Sequence, residues 1–207
     1  SFHVTGVQTC ALPICETYNI KYRIFRLANV LGEGDKKISK KKNALQFLIK
    51  QIVENKDVEL YYGGNVLRDY IYVDDVCQAI HHCMENSSFN EIINIGSGKP
   101  YLFLNIIKSA IRKSKSKSKI IEIQPTHFHN VVQVKNSYLD TTKLKNFGYN
   151  CKYGIEEILD KLLANLEADV KYLKSNYLSH EIASLREATE PNRIAKKEEG
   201  PEVPTGK

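Results

Sequence analysis

The apolar positions of this chain switch between two periods, and the switch points outline its elements. Tyr22 to Leu27 (YRIFRL) is a run of the buried-strand type. NVLGEGDKKISKKK follows it, rich in Gly and Lys, and reads as a loop. Ala44 to Val53 has helical spacing, with Asn43 placed as its N-cap. Val58 to Tyr62 and Asp69 to Val73 are strands on either side of a Gly63-Gly64 turn. Asp74 and Asp75 open a helix reaching about Asn86, where first-turn acids favour the helix dipole. Glu91 to Ile95 is a strand closed by GSGKP, and Leu102 to Arg112 is a helix. KSKSKSK is low in complexity and reads as a solvated connection. Ile120 to Ile123 is a short strand. Asp140, Thr141 and Thr142 cap a short helix ending near Phe147-Gly148, and Gly154 to about Tyr172 is a long amphipathic helix. Strands alternating with helices predict an α/β fold.

Both ends depart from this pattern. VTGVQTCALPI, Val4 to Ile14, resembles the in-frame translation of a sequencing adapter. A secretory signal would need a basic n-region and a longer apolar run. Residues 1–14 are therefore set aside as a non-native leader, and the native chain is expected to begin mid-domain. Beyond about Leu178 aliphatic periodicity fades while Glu, Lys and Pro accumulate. Such a stretch buries too little apolar surface to offset its chain entropy. The expected organisation is a domain over 15–175 and a disordered tail over 176–207.

Composition narrows the class. Hydrophobic residues make up 42% and charged residues 26%, as in ordinary globular proteins. No apolar run approaches the roughly 18 residues of a membrane span, so no membrane partner is expected. The five cysteines show no CxxC pairing, which argues against a zinc site and a disulfide framework and for reduced thiols in the cytoplasm. Cys77 and Cys83 fall in a helical pattern, where buried structural thiols are the expectation. The net charge of +6 suggests an anionic partner, whether nucleic acid or a phosphorylated metabolite, or reflects nothing in particular.

Three positions carry candidate chemistry. Arg68 follows a flexible turn and precedes YIYV, so its forked guanidinium can reach a cleft and grip a diphosphate. In isolation it would read as a surface Arg paired with Asp69 or Asp74. The whole string RDYIYVDD favours the ligand. Asn29, after a strand and before a Gly-containing loop, sits where open α/β sheets bind ligands. It equally suits a bond to the loop backbone, as in an Asx-turn. Asn43 heads a helix whose free N–H groups make an anion site, or it is a plain cap. Lys36, Lys37, Lys40, Lys41 and Lys42 form a charge run without the interleaved aromatics that stack bases, which weakens a nucleic-acid reading. GSGKP is not GxxxxGK[ST], and a sharp turn explains its glycines. His81, His82, His127 and His129 lack metal-ligand spacing, so no metal is expected.

Taken in order, YRIFRLANVLG, the Asn-headed helix, LYYGGNVLRDYIYVDDVCQAI, EIINIGSGKPYLFLNII and YLDTTKLKNFGY resemble the extended short-chain dehydrogenases. The resemblance is to the NAD-dependent sugar-nucleotide epimerase/dehydratase family, from about Glu16 to about Leu163. It implies the C-terminal part of a Rossmann-like fold with its smaller substrate-binding subdomain. It also implies oxidation of a sugar C4 hydroxyl by bound NAD, followed by reduction or elimination. By the same resemblance Leu27 and Ala28 would line the nicotinamide end of the cofactor pocket, and Asn29 would touch the sugar or its phosphate. Asn43 and Arg68 would hold the diphosphate, with Tyr61 and Tyr62 near the nucleoside. The implied partner is a nucleotide sugar rather than nucleic acid, with a homodimer for the intact protein.

Two family features have no counterpart. The Gly-rich dinucleotide fingerprint is missing, and so is the Tyr-x-x-x-Lys pair that exchanges a proton with the sugar hydroxyl. No catalytic residue is therefore assigned, and the chain by itself is expected to be inactive. An Arg common before the segment matched by YLDTTKLKNFGY is replaced by HFHNVVQVKN, where His129 or Lys135 would substitute. The alternative reading is a non-catalytic dinucleotide sensor or scaffold of the same fold.

Overall fold

The structure is a computed structural model and describes residues 6–34, 38–39, 43–125 and 134–189. Its first helix, α1, spans Gly6–Thr17 and continues through residues 14 and 15, where the sequence suggested a junction. Strand β1 (Arg23–Leu27) pairs in parallel with β6 (Glu91–Ile95), Arg23 opposite Glu91 and Leu27 opposite Ile95. A three-residue strand, β2 (Asn29–Leu31), lies within the stretch read as loop and pairs in parallel with β5 (Tyr70–Tyr72). Helix α2 (Ala44–Val53) has the bounds its periodicity predicts.

The expected strand over Val58 to Tyr62 ends one residue early, as β3 (Val58–Tyr61). Tyr62–Gly64 then form a short 3-10 turn. The strands flanking this turn pair with other partners. β3 runs parallel to β8 (Ile120–Ile123), while β4 (Leu67–Arg68) runs antiparallel to β7 (Tyr101–Leu102). Asp69 separates β4 from β5, and helix α3 (Val73–Asn86) starts directly after β5. Helices α4 (Phe103–Lys113), α5 (Thr142–Asn146) and α6 (Ile155–Thr189) complete the described elements.

Two apolar clusters form in the unit over Ser1–Leu166. One gathers α2, β3, α4 and the start of α6 through Leu45, Ile49, Leu60, Ile107 and Leu159. The other gathers β5, β6, α3 and α5 through Ile71, Ile93, Ile95, Ala79 and Leu144. Strand β5 divides between them: Tyr70 and Tyr72 enter the first and Ile71 the second, as strand alternation requires.

Two sequence expectations need correction. KSKSKSK is a docked connection rather than a solvated one. Ser116 Oγ donates to the Ile52 carbonyl at 2.6 Å, and the amides of Lys117 and Lys119 donate to Asn55 Oδ1 and Asp57 Oδ1. Ser118 is buried while Lys115, Lys117 and Lys119 are exposed, so the low-complexity repeat is a period-2 pattern of its own. The tail expected to be disordered from residue 176 is helical as far as Thr189. No Gly or Pro falls between Gly154 and Pro191, and Leu, Ala, Glu and Lys in that stretch are strong helix formers. Residues 190–207 lie outside the described residues. The second compact unit, Glu167–Lys207, holds the remainder of α6, with Tyr172 and Leu173 exposed.

Candidate ligand cavity

A cavity of about 410 Å³ opens beside the turn between β3 and β4. All five residues proposed for substrate from the sequence line it: Asn29, Asn43, Tyr61, Tyr62 and Arg68. Its apolar floor includes Leu45, Leu48, Leu60, Val66 and Phe103, and Glu59 also lines it. Leu27 and Ala28, assigned to the cofactor, are not among its lining. They lie at the carboxyl end of β1, Leu27 46% exposed and Ala28 bonded through its amide to the Ile95 carbonyl at 2.9 Å.

The turn is shaped by backbone conformation. Tyr62, Gly63 and Gly64 have φ values of 53°, 57° and 79°, three consecutive left-handed residues. A Cβ on Gly64 would lie 3.2 Å from the Leu104 backbone, so position 64 is glycine for both conformation and space. The turn brings Tyr61 and Tyr62 onto the cavity wall.

Arg68 is the cation of the cavity. Its Nη1 donates to the carbonyls of Leu67 and Lys135, each at 2.8 Å, and its Nη2 to the Val134 carbonyl at 2.9 Å. It therefore pairs with neither Asp69 nor Asp74, the partners a surface reading supplied. Partial burial pulls its pKa down from the ordinary arginine value, with Tyr70 opposing that shift. A guanidinium stays charged at neutral pH regardless. Lys135 serves through its carbonyl, and His129 lies outside the described residues.

The two asparagines combine structural and facing roles. Asn43 Oδ1 accepts from the Gln46 amide at 3.3 Å and its Nδ2 donates to the Val30 carbonyl at 3.0 Å. It is thus both the cap of α2 and the tie between α2 and β2. Asn29 Nδ2 donates to the Asp69 carbonyl at 2.9 Å, forty residues away rather than in the following loop as an Asx-turn would have it, and the residue is exposed on the cavity.

Sequence reasoning missed the two carboxylates that hold the site in place. Asp69 is 1% exposed and accepts from the amides of Ser97 and Gly98 at 3.0 and 3.1 Å and from Ser97 Oγ. GSGKP, which superficially resembles a phosphate loop, thus cradles an anion of the protein itself. A Cβ on Gly96 would meet Asp69 Oδ2 at 2.5 Å, which explains the glycine there. Asp75, fully buried, accepts from Tyr149 Oη at 3.0 Å and from the amides of Lys152 and Tyr153 at 2.9 and 3.0 Å. Burial, followed by this bond to Asp75, raises the Tyr149 pKa.

The cysteines and His82 are not among the residues that line the cavity. Cys83 is buried, and desolvation raises its pKa. Cys151 Sγ donates to the Gly96 carbonyl at 3.3 Å, and burial, with smaller contributions from Asp75 and Asp69, pushes its pKa up to about 11. Cys77, expected to be buried in its helix, is instead exposed, because it falls on the outer face of α3. His82 Nε2 lies 2.7 Å from the Phe147 carbonyl. Among the described residues no group of three or more His, Cys, Asp or Glu is placed to hold a metal ion, and no helix is long and apolar enough to cross a membrane.

Known proteins resemble this chain over most of these elements. It is 31% identical over 148 residues to an uncharacterized protein of Methanocaldococcus jannaschii, covering 70% of this chain and 42% of that one. It is 25% identical over 154 residues to the dTDP-4-dehydro-6-deoxyglucose reductase of Escherichia coli, 74% of this chain and 47% of the enzyme. The UDP-glucose 4-epimerase of Thermotoga maritima, solved with UDP-glucose, superposes with a TM-score of 0.70 at 25% identity, over 78% of this chain and 51% of that one. The chain spans about half the length of these relatives. The fold is the Rossmann-like α/β fold of the extended short-chain dehydrogenases. Residues 6–96 match the model of the NAD dependent epimerase/dehydratase family.

Proposed function

We propose that this chain holds the diphosphate of a nucleotide sugar, as part of an NAD-dependent epimerase or dehydratase. The observation that carries this reading is a single cavity lined by a guanidinium, two amide side chains, three tyrosines and the start of α2. Three carbonyls fix the Arg68 fork, so little side-chain freedom is lost when it grips an anion. The first turn of α2 adds unpaired N–H groups and the positive end of its dipole. Tyr61 and Tyr62 offer flat walls to a nucleoside.

The chemistry inferred from the family is oxidation at the sugar C4, then reduction or elimination. NAD, when bound, would take the hydride and return it. The exposed Leu27 and the adjacent Ala28 suit an apolar contact with the nicotinamide end and would keep water from it. No Tyr in the 207 residues is followed by Lys at the fourth position, so the chain has no such pair to move the hydroxyl proton. It is expected to bind without turning over.

Titration calorimetry with UDP-glucose, dTDP-glucose and pyrophosphate tests this reading. Binding is expected, and Arg68→Ala should weaken it about tenfold or more. Asn43→Asp keeps the acceptor for the Gln46 amide, loses the donor to the Val30 carbonyl and places a negative charge at the anion site, and should weaken binding together with a lowered thermal midpoint. Absence of nucleotide-sugar binding by the folded chain, or indifference to both substitutions, overturns the proposal. Turnover by the purified chain overturns its binding-only part.

A further inference from the structure

Glu59 lies in β3, where Val58 and Leu60 are buried and Glu59 shares the opposite face with Tyr61. Glu59 lines the same cavity as Arg68. Among the described residues the Glu59 side chain makes no hydrogen bond or ion pair, and Arg68 is held by carbonyls instead. Opposite charges attract across a cavity wall, yet these two do not pair. Each is left for a ligand. A bare diphosphate would gain from Arg68 and be repelled by Glu59. A carboxylate only accepts hydrogen bonds, so the ligand group it favours is one that presents donors.

We propose that Glu59 is a specificity residue, selecting among diphosphates those whose nucleoside carries two adjacent hydrogen-bond donors. Two sources supply that chemistry: the vicinal hydroxyls of a ribose, and the paired N–H groups on the edge of guanine. Both suit bidentate acceptance by one carboxylate. The inference rests on the diphosphate reading above and adds to it the identity of the group at the nucleoside end.

The test is calorimetric titration of the full chain and its Glu59→Gln and Glu59→Ala variants with pyrophosphate, UDP, 2′,3′-dideoxy-UDP and GDP. Pyrophosphate should bind the variants as well as or better than the unsubstituted chain, because a repulsive charge is gone. Nucleoside diphosphate affinity should fall about tenfold or more, the worth of hydrogen bonds to a charged acceptor. If ribose is the source, 2′,3′-dideoxy-UDP binds weakly and ignores the substitutions. If guanine is the source, GDP binds more tightly than UDP and loses that advantage in both variants. Parallel changes for pyrophosphate and nucleotides, or no change in either, overturn the inference while leaving an Arg68-dependent diphosphate site intact. Failure of pyrophosphate and UDP alike to bind the unsubstituted chain overturns both proposals together.

Discussion

Residues 58 to 75 build two regions of opposite character. On the cavity side stand Glu59, Tyr61, Tyr62 and Arg68, which line the open space. On the inner side Asp69 and Asp75 are enclosed and accept four and three hydrogen bonds from side chains and amides far along the chain, one of those to Asp69, from Leu139, at 3.4 Å. One string of residues therefore supplies both a binding wall and the anchors that position it. Alternation along extended backbone, here where β4 gives way to Asp69 and β5, lets neighbours such as Arg68 and Asp69 serve opposite sides.

The largest expected effect breaks the inner side. Asp75→Ala leaves the amides of Lys152 and Tyr153 without their acceptor, and leaves Tyr149 Oη only the carbonyl of residue 75, at 3.1 Å. Hydrogen bonds to a charged group are worth about 1.5–3 kcal/mol each and are not additive, so a loss of about 3–5 kcal/mol is expected in urea unfolding. A loss under about 1 kcal/mol would show that the inner carboxylates are not anchors. Gly96→Ala comes next. Its Cβ would press on Asp69 Oδ2 at 2.5 Å and Ala28 Cβ at 3.0 Å, and overpacking of this kind costs about 1–3 kcal/mol. The same substitution should leave pyrophosphate affinity within about twofold if the two regions act separately, a factor worth less than ~0.5 kcal/mol.

Legibility in the sequence follows the same division. Helix α2 and strands β6 and β8 were readable because their patterns are local and their flanks are polar or Gly-rich. Strand β2 was not, since three residues before a Gly- and Lys-rich stretch become a strand only through β5, some forty positions on. The cavity residues were legible because a resemblance joined strings whose individual signals are weak. Glu59 escaped notice as the polar member of an alternating strand. Asp69 and Asp75 escaped for a physical reason: their partners lie 28 to 78 residues away, and no local pattern encodes such contacts.

Alkaline pH gives a smaller effect on the inner side. The Cys151 thiol has its pKa raised from 9.0 to about 11, so the folded state holds that proton more tightly than the unfolded chain does. Its contribution is fully present below pH 9.0 and is lost as pH rises toward about 11. The residue is only half-buried and solvent screens the charge, which limits the contribution to less than about 1 kcal/mol. Cys151→Ala should therefore unfold with a flatter stability profile than the unsubstituted chain between those two pH values. Identical slopes would remove Cys151 from the inner network.

The smallest effect sharpens the comparison from the cavity side. Tyr62 adopts φ 53°, a left-handed conformation that costs a non-glycine residue about 1–2 kcal/mol. Glycine would relieve that strain but add about 0.5–1 kcal/mol of backbone entropy to the unfolded chain. Tyr62→Gly should then be stabilising by about 0.5 kcal/mol, the opposite sign to the inner-side substitutions, and it should weaken nucleotide binding while sparing pyrophosphate. A destabilised variant with unchanged nucleotide affinity would mean that the ring of Tyr62 packs for the fold and not for a ligand. The wall and its anchors would then be one structural unit. A stabilised variant that binds nucleotide poorly would mean that the wall tolerates strain its anchors do not share, which is the behaviour expected of a surface shaped for something other than folding.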